Sequence, residues 1–177
     1  MKPNKIEAGS KFPEIRALSM DGTTIDLNQR TAGTDWKMVV VYRGKHCPLC
    51  TRYLNDLEAL KEKLNDINVE IVAVSGDCKA QLAEHMDKLE VEFPLLYGLT
   101  VDQMQELGLY SSQPRSAQET DHPFAEPDVF VVNDEGQVQV VDISNNPFVR
   151  PDLDRLVSGL AWIKNPDNNY PIRGTYQ

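Results

Sequence analysis

Cys47-Pro48-Leu49-Cys50 sets two thiols three residues apart, just after the apolar run Met38-Val39-Val40-Val41-Tyr42 and at the head of an amphipathic stretch from Thr51 to Leu64. Two cysteines in the first turn of a helix are close enough to close a short disulfide loop. The helix N-terminus turns unpaired N–H groups and a partial positive charge toward them, which stabilises a thiolate. Pro48 suits the first helical position, where its missing N–H costs nothing. Cys47 then stands near the N-cap and Cys50 one turn in. The surrounding charge acts in the same direction. The chain carries a net charge of −9, yet Lys37, Arg43, Lys45, His46 and Arg52 surround the pair and no carboxylate lies between Trp36 and Asn55. Cations beside a thiol lower its pKa. A zinc ribbon needs a second ligand pair. Cys78, the third cysteine, and the histidines His46, His85 and His122 lack that spacing, so neither a metal nor an organic cofactor is expected.

The elements that hold the pair follow from hydrophobic period and turn chemistry. Residues 14–28 read as a hairpin about Asp21-Gly22. Val39–Arg43 reads as a buried strand, and 48–65 as a helix with Leu54, Leu57, Leu60 and Leu64 on one face. A second apolar strand covers Glu70–Ser75. A helix follows from about Cys78 to Leu89, with Asp77 as its cap. Phe93–Tyr97 is a short strand, and Thr100–Leu107 a short helix ended by Gly108. Val129–Asn133 and Val138–Ile143 form a hairpin across Asp134-Glu135-Gly136. Arg150-Pro151-Asp152 opens a last helix. This β-β-α-β-α-β-β-α order predicts an α/β chain with helices packed on a mixed sheet. A CxxC pair between strand and helix then reads as a thioredoxin-like redox motif.

The 177 residues suffice for one domain with a real core, with 1–8 and 165–177 as terminal extensions. No apolar run reaches the length of a membrane span, and Met1-Lys2-Pro3-Asn4-Lys5 precedes no apolar signal region. Few cysteines without a signal point to a reducing cytoplasm, where a disulfide is transient. The acidic balance excludes neither enzyme nor binding protein, but it gives no support for nucleic acid or anionic membrane as partner. Tyr110–Glu126 is long, polar and aperiodic, and is expected to form a lid over the thiols. Trp36 and Trp162 are expected as core anchors, and Cys78 as a partly buried cysteine.

Several segments together resemble the alkyl hydroperoxide reductase and thiol-specific antioxidant family, the peroxiredoxins. They are Gly9-Ser10-Lys11-Phe12-Pro13-Glu14-Ile15, Val72-Ala73-Val74-Ser75-Gly76-Asp77 and Phe130-Val131-Val132-Asn133-Asp134-Glu135-Gly136. Arg43-Gly44-Lys45-His46-Cys47-Pro48-Leu49-Cys50 resembles a peroxiredoxin-like subgroup with Arg-Gly-x-x-Cys-Pro-x-Cys, as do Arg150-Pro151-Asp152-Leu153 and Tyr170-Pro171-Ile172-Arg173-Gly174. The resemblance implies a thioredoxin-like fold, a hydroperoxide or protein-disulfide substrate, an external thiol reductant such as a thioredoxin system, and a homodimer. Aligned on the family motif Pro-x-x-x-Thr-x-x-Cys, Cys50 takes the peroxidatic position. The motif's Thr becomes Cys47, its Pro becomes Arg43, and the family's distant Arg falls at Pro127. Losing those oxygen-binding groups predicts slow peroxide reduction. Pro127 instead matches the cis-proline that thioredoxins place opposite their dithiol.

The expected activity is therefore thiol–disulfide exchange, with Cys47 attacking, Cys50 resolving, and Arg43, His46, Pro48 and Pro127 in support. One alternative is a thiol peroxidase with Cys50 attacking and Cys47 resolving. Another is a redox-sensing or binding protein without turnover.

Overall fold

The computed structural model describes residues 5–177. The first four residues of the extension expected at 1–8 lie outside the described residues. The chain opens with the hairpin β1 (Arg16–Leu18) and β2 (Thr24–Asp26), paired antiparallel. Next come β3 (Trp36–Val41), α1 (Pro48–Glu58), α2 (Lys61–Asp66), β4 (Val69–Val74) and α3 (Lys79–Met86). The short elements β5 (Leu95–Leu96), α4 (Val101–Glu106), β6 (Ser111–Ser112) and β7 (Phe124–Ala125) follow. The chain ends with β8 (Asp128–Val132), β9 (Val138–Ile143) and α5 (Leu153–Lys164).

Five strands form one sheet in the order β5-β4-β3-β8-β9. β3 is parallel to β4, and β4 to β5, while β8 runs antiparallel to β3 and β9. This is the mixed sheet expected of a thioredoxin-like α/β fold, with flanking helices and an N-terminal hairpin. Side chains alternate across a strand, and β3 separates two cores accordingly. Met38, Val40 and Tyr42 pack with Leu54, Leu57, Leu64 and Leu160 of the helices on one face. Val39 and Val41 pack with Phe12, Ile15, Leu27, Met104 and Phe130 on the other. Tyr42, Leu54, Leu57 and Leu64 are fully buried, and each such burial contributes roughly 1.5–3 kcal/mol. That packing fixes the head of α1 at the end of β3.

Several expectations are corrected. The helix expected over 48–65 is two helices broken at Ala59-Leu60. Asp77 does not cap α3; Cys78 is the N-cap, in a capping box with Gln81, and its side chain is exposed. Trp162 is 51% exposed rather than a core anchor, and stacks edge-on against Tyr170. Trp36 is buried as expected. The 110–126 segment contains its own two-stranded ribbon, with Ser111 opposite Ala125 and Ser112 opposite Phe124.

Candidate active site

Cys47 is the N-cap of α1, in extended backbone, and its Sγ accepts the Cys50 backbone N–H at 3.3 Å. Pro48 occupies the first helical turn. Both sulfurs are held inside the protein, Cys47 at 2% exposure and Cys50 at 0%. The two thiols share their proton unequally. Cys47 is pulled down from 9.0 to about 5, first by hydrogen bonds from the Cys50 thiol and backbone N–H, against the opposing effect of burial, and then by Arg43 and Arg150. Cys50 is pushed up, first by burial and then by the neighbouring Cys47. The two shifts run in opposite directions, and Cys47 is the more acidic thiol of the pair.

Arg150 is the residue that sequence reasoning missed. Its Nη2 lies 3.2 Å from Cys50 Sγ and 3.9 Å from Cys47 Sγ. Its Nε donates to the Pro147 carbonyl at 3.1 Å, and the guanidinium stacks 4.9 Å above the Tyr53 ring. Tyr53 is itself tied by its hydroxyl to the Pro151 carbonyl at 2.9 Å. A cation is therefore fixed on the thiols from the segment that leads into α5. The sequence signal was the Arg150-Pro151-Asp152-Leu153 stretch, but its contact with Cys47 spans 103 residues and no local pattern reveals that.

Arg43, expected in support, is held beside the pair by β7 and the residue that follows it. It pairs with the buried Glu126 (Nε to Oε1 3.0 Å) and lies 4.7 Å over the Phe124 ring. His46 packs against the same ring at 4.4 Å between centroids. Burial, and then the Arg43 charge, lower its pKa, so the imidazole is neutral near pH 7. The wider cationic patch is looser than its spacing suggests. Lys37 lies toward the other end of β3, where it donates to the Gln29 carbonyl at 2.8 Å and faces Glu70 at 3.7 Å. Lys45 pairs with Glu84 at 2.7 Å, and Arg52 points to solvent.

Asp77 is the second residue missed. Fully buried, it accepts the Lys45 backbone N–H at 2.8 Å and contacts His122 Nε2 at 3.0 Å. It holds the loop from Arg43 to His46 in place. Gly44 makes this possible: with φ at +140°, a side-chain Cβ there would stand 2.6 Å from Asp77 Oδ1.

Pro127 departs from expectation. The described residues contain no cis peptide bond, so the Glu126–Pro127 bond is trans. Pro127 immediately precedes β8 and accepts the Ser144 N–H at its carbonyl. It lines a small cavity with Tyr53, Asp128 and Arg150. A proline before a strand needs no unusual bond, because it has no N–H to give the ladder. Nearby, Asp128 is a buried carboxyl without a hydrogen-bond partner. Burial and Asp142 push its pKa up to about 9. Among the described residues, no group of three or more His, Cys, Asp or Glu is placed to hold a metal ion.

A sequence profile of the AhpC/TSA family matches residues 8–141. The chain belongs to that family. A relative described as a peroxiredoxin, from Pyrococcus furiosus, is 26% identical over 145 residues, which cover 77% of this chain and 62% of that protein. The chain thus spans less than two thirds of that relative's length. Among solved structures, a peroxiredoxin-like protein from Aquifex aeolicus superposes with a TM-score of 0.74 at 13% identity, covering 90% of this chain and 89% of the other. A cysteine mutant of peroxiredoxin 6 of Arenicola marina gives 0.76 at 16% identity, covering 92% and 75%. Both likenesses support the same fold. No described helix is long and apolar enough to cross a membrane.

Proposed function

We propose that this chain is a thiol peroxidase that reduces a hydroperoxide with its Cys47–Cys50 dithiol. The observation that carries the reading is Arg150 on both sulfurs, in a chain of the peroxiredoxin family whose Glu126–Pro127 bond is trans. In place of the guanidinium lost at position 127 stands Arg150, which lines the same small cavity as Pro127, so the slow peroxide chemistry expected from that loss no longer follows. A fixed cation is worth most where charge develops on the departing oxygen.

The reaction balances with the pair as a monoanion. The Cys50 sulfur attacks the outer peroxide oxygen, and its proton passes by way of the Cys47 thiolate to the departing alkoxide. The products are an alcohol and a Cys50 sulfenic acid. The Cys47 thiolate then attacks the Cys50 sulfur, and hydroxide leaves as the disulfide closes. An external thiol reductant, such as a thioredoxin system, restores the dithiol. A reducing cytoplasm is the setting in which that cycle runs.

The test is turnover with hydroperoxide and with insulin disulfide, side by side, with dithiothreitol as reductant. The proposal expects peroxide turnover to exceed insulin reduction, and the reverse order would restore thiol–disulfide exchange as the main activity. A second reading has one observation in its favour: the negative charge rests on Cys47, and thiolates attack. Under it Cys47 attacks first, and Cys50→Ser rather than Cys47→Ser keeps the first oxidation step.

A further inference from the structure

Arg43 and Glu126 stand where this chain departs from its family. Arg43 replaces the proline of the motif, and Glu126 directly precedes Pro127, the position of the distant arginine. The fold joins the two departures. Arg43 Nε lies 3.0 Å from Glu126 Oε1 and 3.1 Å from Oε2. The Glu126 side chain is 4% exposed, and its backbone N–H is fixed on the Tyr110 carbonyl at 2.8 Å. The Phe124 ring lies against the guanidinium, 4.7 Å away. Arg43 also serves the dithiol: its guanidinium donates to the Cys47 sulfur, and its backbone N–H to the Cys50 sulfur. One cation therefore has two anions, the Glu126 carboxylate and the Cys47 thiolate, in a space largely removed from water. A buried carboxylate keeps its charge only with such a partner. Burial, first of all, raises the Glu126 pKa; Arg43 opposes that, and Cys47 raises it further. The coupling is reciprocal, so the carboxylate disfavours the thiolate to the same degree. Other charges face the same space. Arg150 lies on both sulfurs, and His46, against the Phe124 ring, is neutral. Glu119, from the 110–126 segment, is engaged by Arg115 at 2.7 Å, and burial holds Asp128 neutral at the head of β8. Among the described residues, Glu126 is the carboxylate bound directly to Arg43.

We infer that Glu126 is a positioning residue that keeps the Cys47–Cys50 pair reducing, by holding part of the Arg43 charge away from the Cys47 thiolate. A thiolate stabilised by cations favours the dithiol over the disulfide, and so makes the pair a reluctant electron donor. With Arg43 and Arg150 both committed to the sulfurs, this dithiol would hold its electrons. Glu126 offsets one of the two cations and leaves Arg150 as the one fixed on the thiols without a bound carboxylate. When the disulfide closes, the thiolate disappears and Arg43 has Glu126 alone, so the carboxylate is better paired in the oxidised protein than in the reduced one. That difference favours electron release. The inference goes beyond the peroxidase reading, because it concerns the equilibrium of the pair and holds whichever thiol attacks first.

The test measures two equilibria on the full chain. In a glutathione redox buffer, the protein dithiol gives two electrons and two protons to oxidised glutathione, which closes the Cys47–Cys50 bond and releases two glutathione thiols. Glu126→Gln keeps an acceptor for Arg43 but removes the charge. It is expected to shift this equilibrium about 10-fold toward the dithiol at pH 7, which corresponds to about 30 mV. By ultraviolet absorbance it should lower the proton affinity of the first thiol by a similar factor, about 10-fold. In Arg43→Met the first thiol should bind its proton more tightly, and adding Glu126→Gln to that variant should change nothing further, because the effect passes through Arg43. Were Glu126 only a clamp for the arginine, Glu126→Gln would tighten the proton or leave it unmoved. Either result overturns the inference, as does an equal effect of Glu126→Gln with and without Arg43. Circular dichroism confirms that the variants are folded. The wild type supplies a further measurement that needs no substitution. Followed by its carboxyl carbon resonance in NMR, Glu126 should titrate at higher pH in the reduced protein than in the oxidised one, and equal midpoints overturn the inference. No peroxide enters these measurements, so their outcome is separate from that of the peroxidase reading.

Discussion

Arg150 and the two sulfurs decide the chemistry, and each supports a prediction. Arg150→Met is expected to lower the rate of peroxide reduction by roughly 10²-fold, the usual cost of losing one donor aimed at developing charge. It should also raise the first thiol titration, because its guanidinium helps hold Cys47 down; Arg150→Lys should recover part of both. A rate and a titration equal to the wild type would remove Arg150 from the site. The first thiolate should appear by ultraviolet absorbance with a midpoint at about 5. Because this pKa lies below the ordinary 9.0, the thiolate stabilises the folded dithiol fully above pH 9.0, and that contribution is lost as pH falls through about 5. In Cys47→Ser the titration at about 5 should vanish; its persistence there would move the charge to Cys50.

The end of β3, the head of α1 and the start of β8 place these groups, and two further variants probe that placement. Gly44→Ala forces a Cβ against Asp77 at a positive φ and should cost about 1–3 kcal/mol. The loss should appear in chemical denaturation together with reduced peroxide turnover, since the same loop carries Arg43 and His46. Unchanged stability would show that the loop yields freely. Asp128, at the head of β8, has its pKa raised to about 9. Its neutral form belongs to the folded state, so its contribution is fully present below the ordinary 3.8 and is lost as pH rises through about 9. Asp128→Asn should therefore gain stability relative to the wild type between pH 5 and pH 8, and a difference that does not change with pH would contradict the buried neutral acid. Much of this layout was readable beforehand: the strand–CxxC–helix unit, the N-terminal hairpin and the β8–β9 hairpin each follow from local period and turn residues. The break at Ala59-Leu60 was not, because neither residue is a helix breaker. Asp77 was read as a cap because an acidic residue before a helix is normally one; only the folded chain shows that its carboxylate is used on the Lys45 N–H and His122 instead.

Across the whole molecule, what the sequence hid is what is distant along it. Arg150 meets Cys47 across 103 residues, and the 115–119 segment meets α3 and Lys45 only in the folded chain. Pro127 misled for a related reason, since its place before a strand fits two related sites and the bond itself is trans. Trp162 looked like an anchor because its residue type usually is one, yet its ring lies outside with Tyr170. Cys78 is a free, exposed thiol at the head of α3, whereas both thiols of the pair are buried. The measurement that bears most directly on the account is therefore one equivalent of hydrogen peroxide added to the reduced chain, followed by mass spectrometry of all three cysteines. The account predicts a Cys47–Cys50 disulfide with Cys78 unmodified, and in Cys47→Ser a sulfenic acid halted on Cys50. Three intact thiols in the wild type, or a sulfenic acid that forms only on Cys47 in Cys50→Ser, would contradict it.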